Sequence, residues 1–247
     1  MPIDALSSFT TNQIIYGLLA GMLPPLLWLW FWMKENNLHP EPRKILLGCF
    51  LVGMCGVILA APLQYMVAHF FHLNNTYQYI IWAAIEEIIK FGAAFLVAFR
   101  LKVFTEPIDG MIFMITSALG FAALENTLFM LGIINTSDIT SSIINGNWRF
   151  LGAVLLHSVV SAVVGFMIAL SFYRGKFVKF ISVIIGLCIA TALHASFNLT
   201  IISAVTKIDK LRALGLVWVS VIFLIILFQE IKAFEIRGDA EHKHIRS

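Results

Sequence analysis

The sequence predicts an all-α membrane protein, a bundle of about seven transmembrane helices, and three observations support this fold class. Of the 247 residues, 60% are hydrophobic and only 13% are charged, whereas soluble domains carry about 25% charged residues. The apolar residues fall into seven segments, each near the roughly 20 residues that a helix needs to cross the hydrocarbon core. The net charge is only +3, and the basic residues lie in short clusters between these segments. Such clusters are typical of topology signals and not of a nucleic-acid-binding surface.

The seven predicted spans follow one another with short connections. They cover residues 11–33, 45–71, 79–99, 110–134, 148–172, 180–204 and 214–233. No internal repeat or second domain is visible in the sequence. Residues 1–234 are therefore predicted to form one transmembrane helical domain, and residues 235–247 a polar cytoplasmic tail.

Prolines and glycines shape the first two spans. Pro24, Pro25 and Pro62 lie inside them, which a helical bundle tolerates because neighbouring groups satisfy the freed backbone. Gly17 and Gly21 form a small-xxx-small pair. The pair either lets another helix approach closely or is incidental.

The lysines and arginines in the connections predict the orientation of the chain. Twelve of the 17 basic residues fall on one side, four on the other, and one lies within the third span. Because basic residues concentrate on the cytoplasmic side, the N-terminus is predicted outside and the C-terminus in the cytoplasm. The loop at 135–147 is predicted outside and the turn at 174–179 inside. The basic cluster Lys207, Lys210 and Arg212, on the outer side, departs from the rule.

Three charged side chains lie near the middle of the third span, in Glu86-Glu87-Ile-Ile-Lys90. Each such charge costs on the order of 2.5–3.5 kcal/mol at the centre of a membrane helix, so this helix is expected to face other helices. Glu86 and Lys90 are four residues apart and are predicted to pair on one face, with Lys90 holding the Glu86 charge. Glu87 points about 100° round the helix and is predicted to lack a local partner. An ion pair that only orients helices would leave Glu87 unexplained.

Each of three later spans contains a pair, four residues apart, that includes an ionisable side chain. The pairs are Phe121 with Glu125, His157 with Ser161, and His194 with Asn198. At 1.5 Å per residue, Glu86 and the three ionisable side chains lie roughly 11–15 Å below the outer ends of their spans. Because these depths agree, four helices are predicted to bring the groups into one layer near the outer face.

This layer suits hydrolytic chemistry. Two carboxylates held close together cannot both ionise easily, so one can act as a base towards water, while imidazole and amide donors stabilise an oxyanion. The same residue types bind zinc or another divalent metal, and the candidate ligands are Glu87, Glu125, His157 and His194. In this reading Glu125 and His157 position water or the metal. No His-Glu-x-x-His motif is present, and a proton-coupled transporter could use a similar layer.

Four motifs, taken in order, resemble those of the PrsW family of intramembrane peptidases, which is related to the CAAX prenyl endopeptidases. They are Glu-Glu-x-x-Lys at 86–90, Gly-Phe-x-x-x-Glu-Asn at 120–126, His-x-x-x-Ser at 157–161 and His-x-x-x-Asn at 194–198. The resemblance covers about half the chain. It implies hydrolysis of membrane-protein substrates, such as an anti-sigma factor, near the outer face of the cell membrane.

The resemblance also implies roles for individual residues. Glu86 and Glu87 match paired glutamates regarded as catalytic, and one of them would be the base. His194 and Asn198 match the last motif and would lie on the oxyanion side. The CAAX endopeptidases have a histidine where this chain has Glu125, which would either share a proton with a motif glutamate or ligate a metal. Non-catalytic scaffolds also occur in the superfamily, but retention of both glutamates favours an enzyme.

Overall fold

The computed structural model describes residues 9–36, 41–71, 73–136 and 139–246. Within these ranges the chain forms seven α-helices and no strand, which confirms the predicted all-α bundle. The helices are α1 (Thr11–Glu35), α2 (Arg43–Phe70), α3 (Asn75–Ala94), α4 (Asp109–Thr136), α5 (Ile139–Leu170), α6 (Lys176–Ser203) and α7 (Lys207–Arg246). A π-helical turn, Phe95–Phe99, continues α3.

Six of the helices in the described part of the chain are long and apolar enough to cross a membrane. The remaining helix, α3, has 20 residues but carries the charges of Glu86, Glu87 and Lys90. All three of these side chains are buried. The third predicted span is therefore a helix whose charged residues are surrounded by protein and not by lipid, as the cost of a lipid-exposed charge requires.

Helices extend past the ends of the predicted apolar segments in two regions of the chain. α5 begins at Ile139 and α4 ends at Thr136, so the described residues of the predicted loop at 135–147 are helical, and the prediction of a loop there is wrong. α7 continues to Arg246, so the polar segment after residue 234 extends the last helix. A helix satisfies its own backbone hydrogen bonds in water as well as in lipid, so polar residues can end an apolar run without ending the helix.

Capping residues determine where α1 and α3 begin. The Thr10 hydroxyl accepts from the Gln13 backbone N–H at 3.4 Å, and the Gln13 side chain accepts from the Thr10 N–H at 2.8 Å. This reciprocal pair is a capping box. At the start of α3, Asn74 Oδ1 accepts from the Tyr77 N–H at 3.0 Å. The cap places Glu86 about three turns into the helix.

α4 lies at the centre of the bundle, where it packs against α1, α2, α3 and α5. Glycines allow the backbones to approach closely at its crossings. A Cβ on Gly120 would lie 2.0 Å from the carbonyl oxygen of Phe50, and one on Gly21 would lie 2.0 Å from Thr127 Oγ1. With Gly17 also buried, close approach of another helix is the one of the two interpretations of Gly17 and Gly21 that the structure supports. These contacts fix α4, and with it the polar residues that α4 carries.

Candidate functional site

The charged side chains of α3 meet polar side chains of α4, α5 and α6 inside the bundle. Glu87 and Lys90 are fully buried, and the other members on α3, α5 and α6 are no more than 6% exposed. The side chain on α4 is the most accessible, at 31%. We call this group the polar cluster, and it consists of Glu86, Glu87, Lys90, Glu125, His157 and His194.

The ammonium group of Lys90 lies at the middle of the polar cluster. Its Nζ donates to Glu87 Oε1 at 2.7 Å and is 3.5 Å from Glu86 Oε2. It also lies 2.6 Å from His157 Nδ1 and 4.7 Å from the centre of the Phe121 ring. An ammonium group can only donate, so His157 Nδ1 accepts and the proton of the neutral ring is on Nε2.

Each histidine of the cluster is oriented by a carboxylate. His157 Nε2 donates to Glu125 Oε2 at 2.8 Å, and His194 Nδ1 donates to Glu87 Oε1 at 2.9 Å. The second nitrogen of each ring points towards Glu86. His157 Nδ1 is 4.0 Å from Glu86 Oε2, and His194 Nε2 is 3.7 Å from the same oxygen. One nitrogen of each ring therefore lies within 4.0 Å of the same carboxylate oxygen.

Glu87 has partners on three helices, so the prediction that it lacks one is wrong. Lys90 is closer to Glu87 than to Glu86, because residues three apart also meet on a helix surface. Ser161 Oγ on α5 donates to Glu87 Oε2 at 2.7 Å, and His194 on α6 supplies the third donor. The buried carboxylate is thus satisfied on both oxygens.

Two supporting side chains were not among the predicted site residues. Gln64 on α2 donates from its side-chain Nε2 to Glu86 Oε1 at 2.9 Å, and the backbone oxygen of Gln64 accepts from Trp82 Nε1 at 3.0 Å. Ser117 Oγ on α4 donates to the backbone oxygen of Lys90 at 2.8 Å. An amide inside an apolar run, as at Gln64, is the signal that could have identified it, since buried polar groups in membrane helices need partners.

Asn198 lies beside the polar cluster and not within it. It is half-buried and one helical turn after His194 on α6. Among the described residues, no hydrogen bond joins its amide to the cluster. The structure therefore brings together five of the six side chains predicted as catalytic and places the sixth on the adjoining turn.

Glu86, His157 and His194 each offer one ligand atom, and the three atoms lie within 4.8 Å of one another. Zinc bonds of about 2.0–2.2 Å in tetrahedral geometry separate ligand atoms by roughly 3.4 Å, so these atoms are near the spacing that one ion needs. Of the predicted metal ligands, both histidines belong to this group. Glu87 and Glu125 do not, because they hydrogen-bond the far nitrogens of the rings, and Glu86 takes their place.

The surroundings of this group also suit a metal site. Histidine ligands of metal ions usually donate their other ring N–H to a carboxylate or carbonyl, which fixes the tautomer. Both rings have such a partner here. The cluster holds three carboxylates and one ammonium. With neutral histidines its net formal charge is negative, and one divalent cation would neutralise it. Two imidazoles and one carboxylate are a usual donor set for catalytic zinc.

Comparison with known proteins places these helices in a family. A family model described as "PrsW family intramembrane metalloprotease" matches residues 41–228 of this chain. This range includes all four motifs.

Individual relatives agree with the family match. Protease PrsW of Geobacillus kaustophilus (strain HTA426) is 27% identical over 149 residues, which are 60% of this chain and 63% of that protein. Protease PrsW of Bacillus subtilis (strain 168) is 21% identical over 185 residues, 72% of this chain and 79% of the relative. The match to the Geobacillus protein thus spans slightly less than two thirds of its length. No solved structure matches the chain.

Proposed function

The chain belongs to the PrsW family of intramembrane metalloproteases, and we propose that it hydrolyses peptide bonds of membrane-protein substrates at the polar cluster. One observation carries the proposal. Two carboxylate-oriented imidazoles each place their second nitrogen within 4.0 Å of one oxygen of a third carboxylate inside the bundle. An anti-sigma-factor-like membrane protein is the substrate class that we infer from the motifs. A metal-assisted peptidase needs this donor set, whereas a scaffold does not.

In this proposal Glu86, His157 and His194 hold a divalent metal ion, and zinc suits the donors best. When bound, such an ion polarises the scissile carbonyl group and makes a bound water more acidic. Glu87 would keep His194 Nε2 available as a ligand by accepting a hydrogen bond from the Nδ1–H group. Glu125 would accept a hydrogen bond from His157 Nε2–H, which leaves His157 Nδ1 as the ligand atom. The two carboxylates therefore set the tautomers that the site requires.

We assign the general base to Glu125 and not to Glu86 or Glu87. Its side chain is 31% exposed and is the most accessible carboxylate of the polar cluster, whereas Glu87 is fully buried among its donors. Glu125 lies on the side of the His157 ring away from Nδ1, so it would take the proton from the attacking water through one bridging water as the hydroxyl adds to the carbonyl carbon. The same proton would then pass to the amide nitrogen, which leaves as an amine, so that one water is consumed for each bond.

Asn198 is the proposed donor to the oxyanion. It follows His194 by four residues on α6, a spacing that puts two side chains on the same face of a helix. A side-chain amide can stabilise the negative charge that develops on a carbonyl oxygen. Asn198 would then contact the substrate and not the resting cluster, which fits its half-buried position.

A cleavage assay tests the proposed function. Purified protein in proteoliposomes, given a panel of single-span membrane proteins, should produce cleaved fragments. Chelation should stop the reaction, and added zinc should restore it, because the metal supplies the polarisation of the carbonyl. Cleavage at an unchanged rate by protein shown to be metal-free would contradict the metal-dependent mechanism. Proton-driven uptake of a solute without any cleavage would favour a transporter instead.

We also propose that the N-terminus is outside, the C-terminus is cytoplasmic, and the polar cluster lies nearer the outer face of the cell membrane. The basic turn between α5 and α6 supports this orientation, since such clusters stay on the cytoplasmic side.

Labelling with a membrane-impermeant maleimide tests the orientation. In a background without the native cysteines, Val205→Cys should react from outside intact cells and Gly175→Cys should not. Val205 is 89% exposed, and a Cβ at Gly175 would have no heavy atom within 4 Å, so both thiols are accessible on their own side. The reverse pattern would place the site near the cytoplasmic face.

A further inference from the structure

Lys90 contacts the same nitrogen of His157 that the proposed metal site requires. Its Nζ lies 2.6 Å from His157 Nδ1, while His157 Nε2 is engaged by Glu125 Oε2 at 2.8 Å. A neutral imidazole has one nitrogen that carries the proton and one that carries a lone pair in the ring plane. The single lone pair of His157 is therefore occupied by the ammonium group of Lys90.

A lone pair can accept one short hydrogen bond or bind one metal ion, but not both. We propose that Lys90 is a built-in competitor of the metal ion for His157, and that metal binding requires its ammonium group to leave Nδ1. The departing ammonium keeps a strong partner, since Glu87 Oε1 is 2.7 Å from the same Nζ. On metal binding Lys90 would give up its contact with His157 Nδ1 and keep its ion pair with Glu87, three residues before it on α3.

Electrostatic repulsion between the Lys90 ammonium and a metal ion would also weaken metal binding. Lys90 Nζ is 3.5 Å from Glu86 Oε2, another proposed ligand atom, so a divalent ion and the ammonium would sit side by side in a region of low dielectric. Without the ion, the ammonium compensates two buried carboxylates that would otherwise be costly. Lys90 therefore both stabilises the cluster and weakens its affinity for metal. This inference rests on the metal-binding part of the proposed function.

Zinc affinity of the full-length protein in detergent, measured by competition with a chelating dye, tests the inference. Lys90→Met removes the competing donor and the repulsion, so zinc should bind on the order of 10- to 100-fold more tightly, the size of one charge-assisted hydrogen bond. Lys90→Arg keeps the charge and the donors, so it should bind zinc no more tightly than wild type. Lys34→Met, on the exposed surface of α1, is the matched control and should leave the affinity unchanged.

Thermal unfolding with and without zinc provides a second readout. Lys90→Met should unfold at a lower temperature than wild type without zinc and should gain more stability from zinc than wild type does. If Lys90→Met does not fold without metal, Lys90→Gln serves in its place, and recovery of either folded variant in zinc supports the inference. Failure of both neutral variants to fold at saturating zinc would overturn it.

The outcomes also separate this inference from the proposed function. Equal or weaker zinc binding by Lys90→Met, with normal binding by wild type, overturns the competition while leaving the metalloprotease proposal intact. Absence of zinc binding in wild type and in every variant overturns both.

Discussion

Replacing His194 by glutamine is expected to abolish both proteolysis and the binding of a divalent metal ion. The substitution removes Nε2, which faces Glu86 Oε2 at 3.7 Å, and also the Nδ1–H that donates to Glu87. Loss of a group that only supports a ligand typically costs about 10- to 100-fold in activity or metal affinity. Because His194 is itself a proposed ligand, its loss should exceed 100-fold. Metal content and the cleavage rate of the purified variant measure both effects.

The matched control for this variant is His69→Gln. His69 lies on the exposed surface of α2, where its ring stacks on Tyr65 with centroids 5.7 Å apart. The His69→Gln variant should retain the metal content and activity of the wild-type protein. A His194→Gln protein that keeps its metal ion and more than about a tenth of its activity would exclude His194 as a ligand.

Replacing Glu125 by glutamine should lower the catalytic rate by about 10²- to 10⁴-fold, the usual contribution of a positioned general base. Glutamine keeps the volume and offers a carbonyl oxygen to the Nε2–H of His157, so the ring should hold its tautomer. It cannot accept a proton from water. The variant should therefore retain the metal ion while losing turnover, which is the opposite of a ligand variant. Steady-state kcat and metal content, measured on the same preparation, distinguish the two cases.

Two further variants make the Glu125 prediction specific. Glu230→Gln changes an exposed glutamate on α7 and should leave kcat unchanged. Glu87→Gln should retain part of the rate, since Glu87 orients His194 without receiving the proton, a role worth about 10- to 100-fold. If Glu87→Gln instead lost all turnover with its metal ion intact, and Glu125→Gln stayed active, the base would be Glu87.

The helices were predictable from the sequence because each apolar run has the length that a membrane requires. The polar cluster was predictable in outline, since charges within such runs must face protein. Glu86, Glu125, His157 and His194 come from four helices, and their agreement in depth anticipated their contact. Helix ends were less predictable: the polar residues after Thr136 continue as helix from Ile139, because hydropathy marks the edge of the lipid and not the end of a helix.

The partners of each charge could not be predicted, because they depend on how the helices pack. Spacing along α3 favoured Glu86 as the partner of Lys90, but Ser161 and His194 approach from α5 and α6 and draw Glu87 into the same network. Gln64 reaches Glu86 from α2, and no short-range pattern relates the two. The choice of Glu86 over Glu87 as a metal ligand follows from ring orientation, which a single sequence does not contain.

Metal analysis of the purified wild-type protein, with cleavage measured on the same sample, tests the central claim most directly. We expect about one divalent ion per chain, loss of cleavage in step with removal of that ion, and recovery of cleavage when zinc is returned. Glu86→Gln, His157→Gln and His194→Gln should each purify without the ion. A folded wild-type protein that contains no divalent ion and cleaves its substrate at full rate in chelator would contradict the assignment of Glu86, His157 and His194 as a metal site.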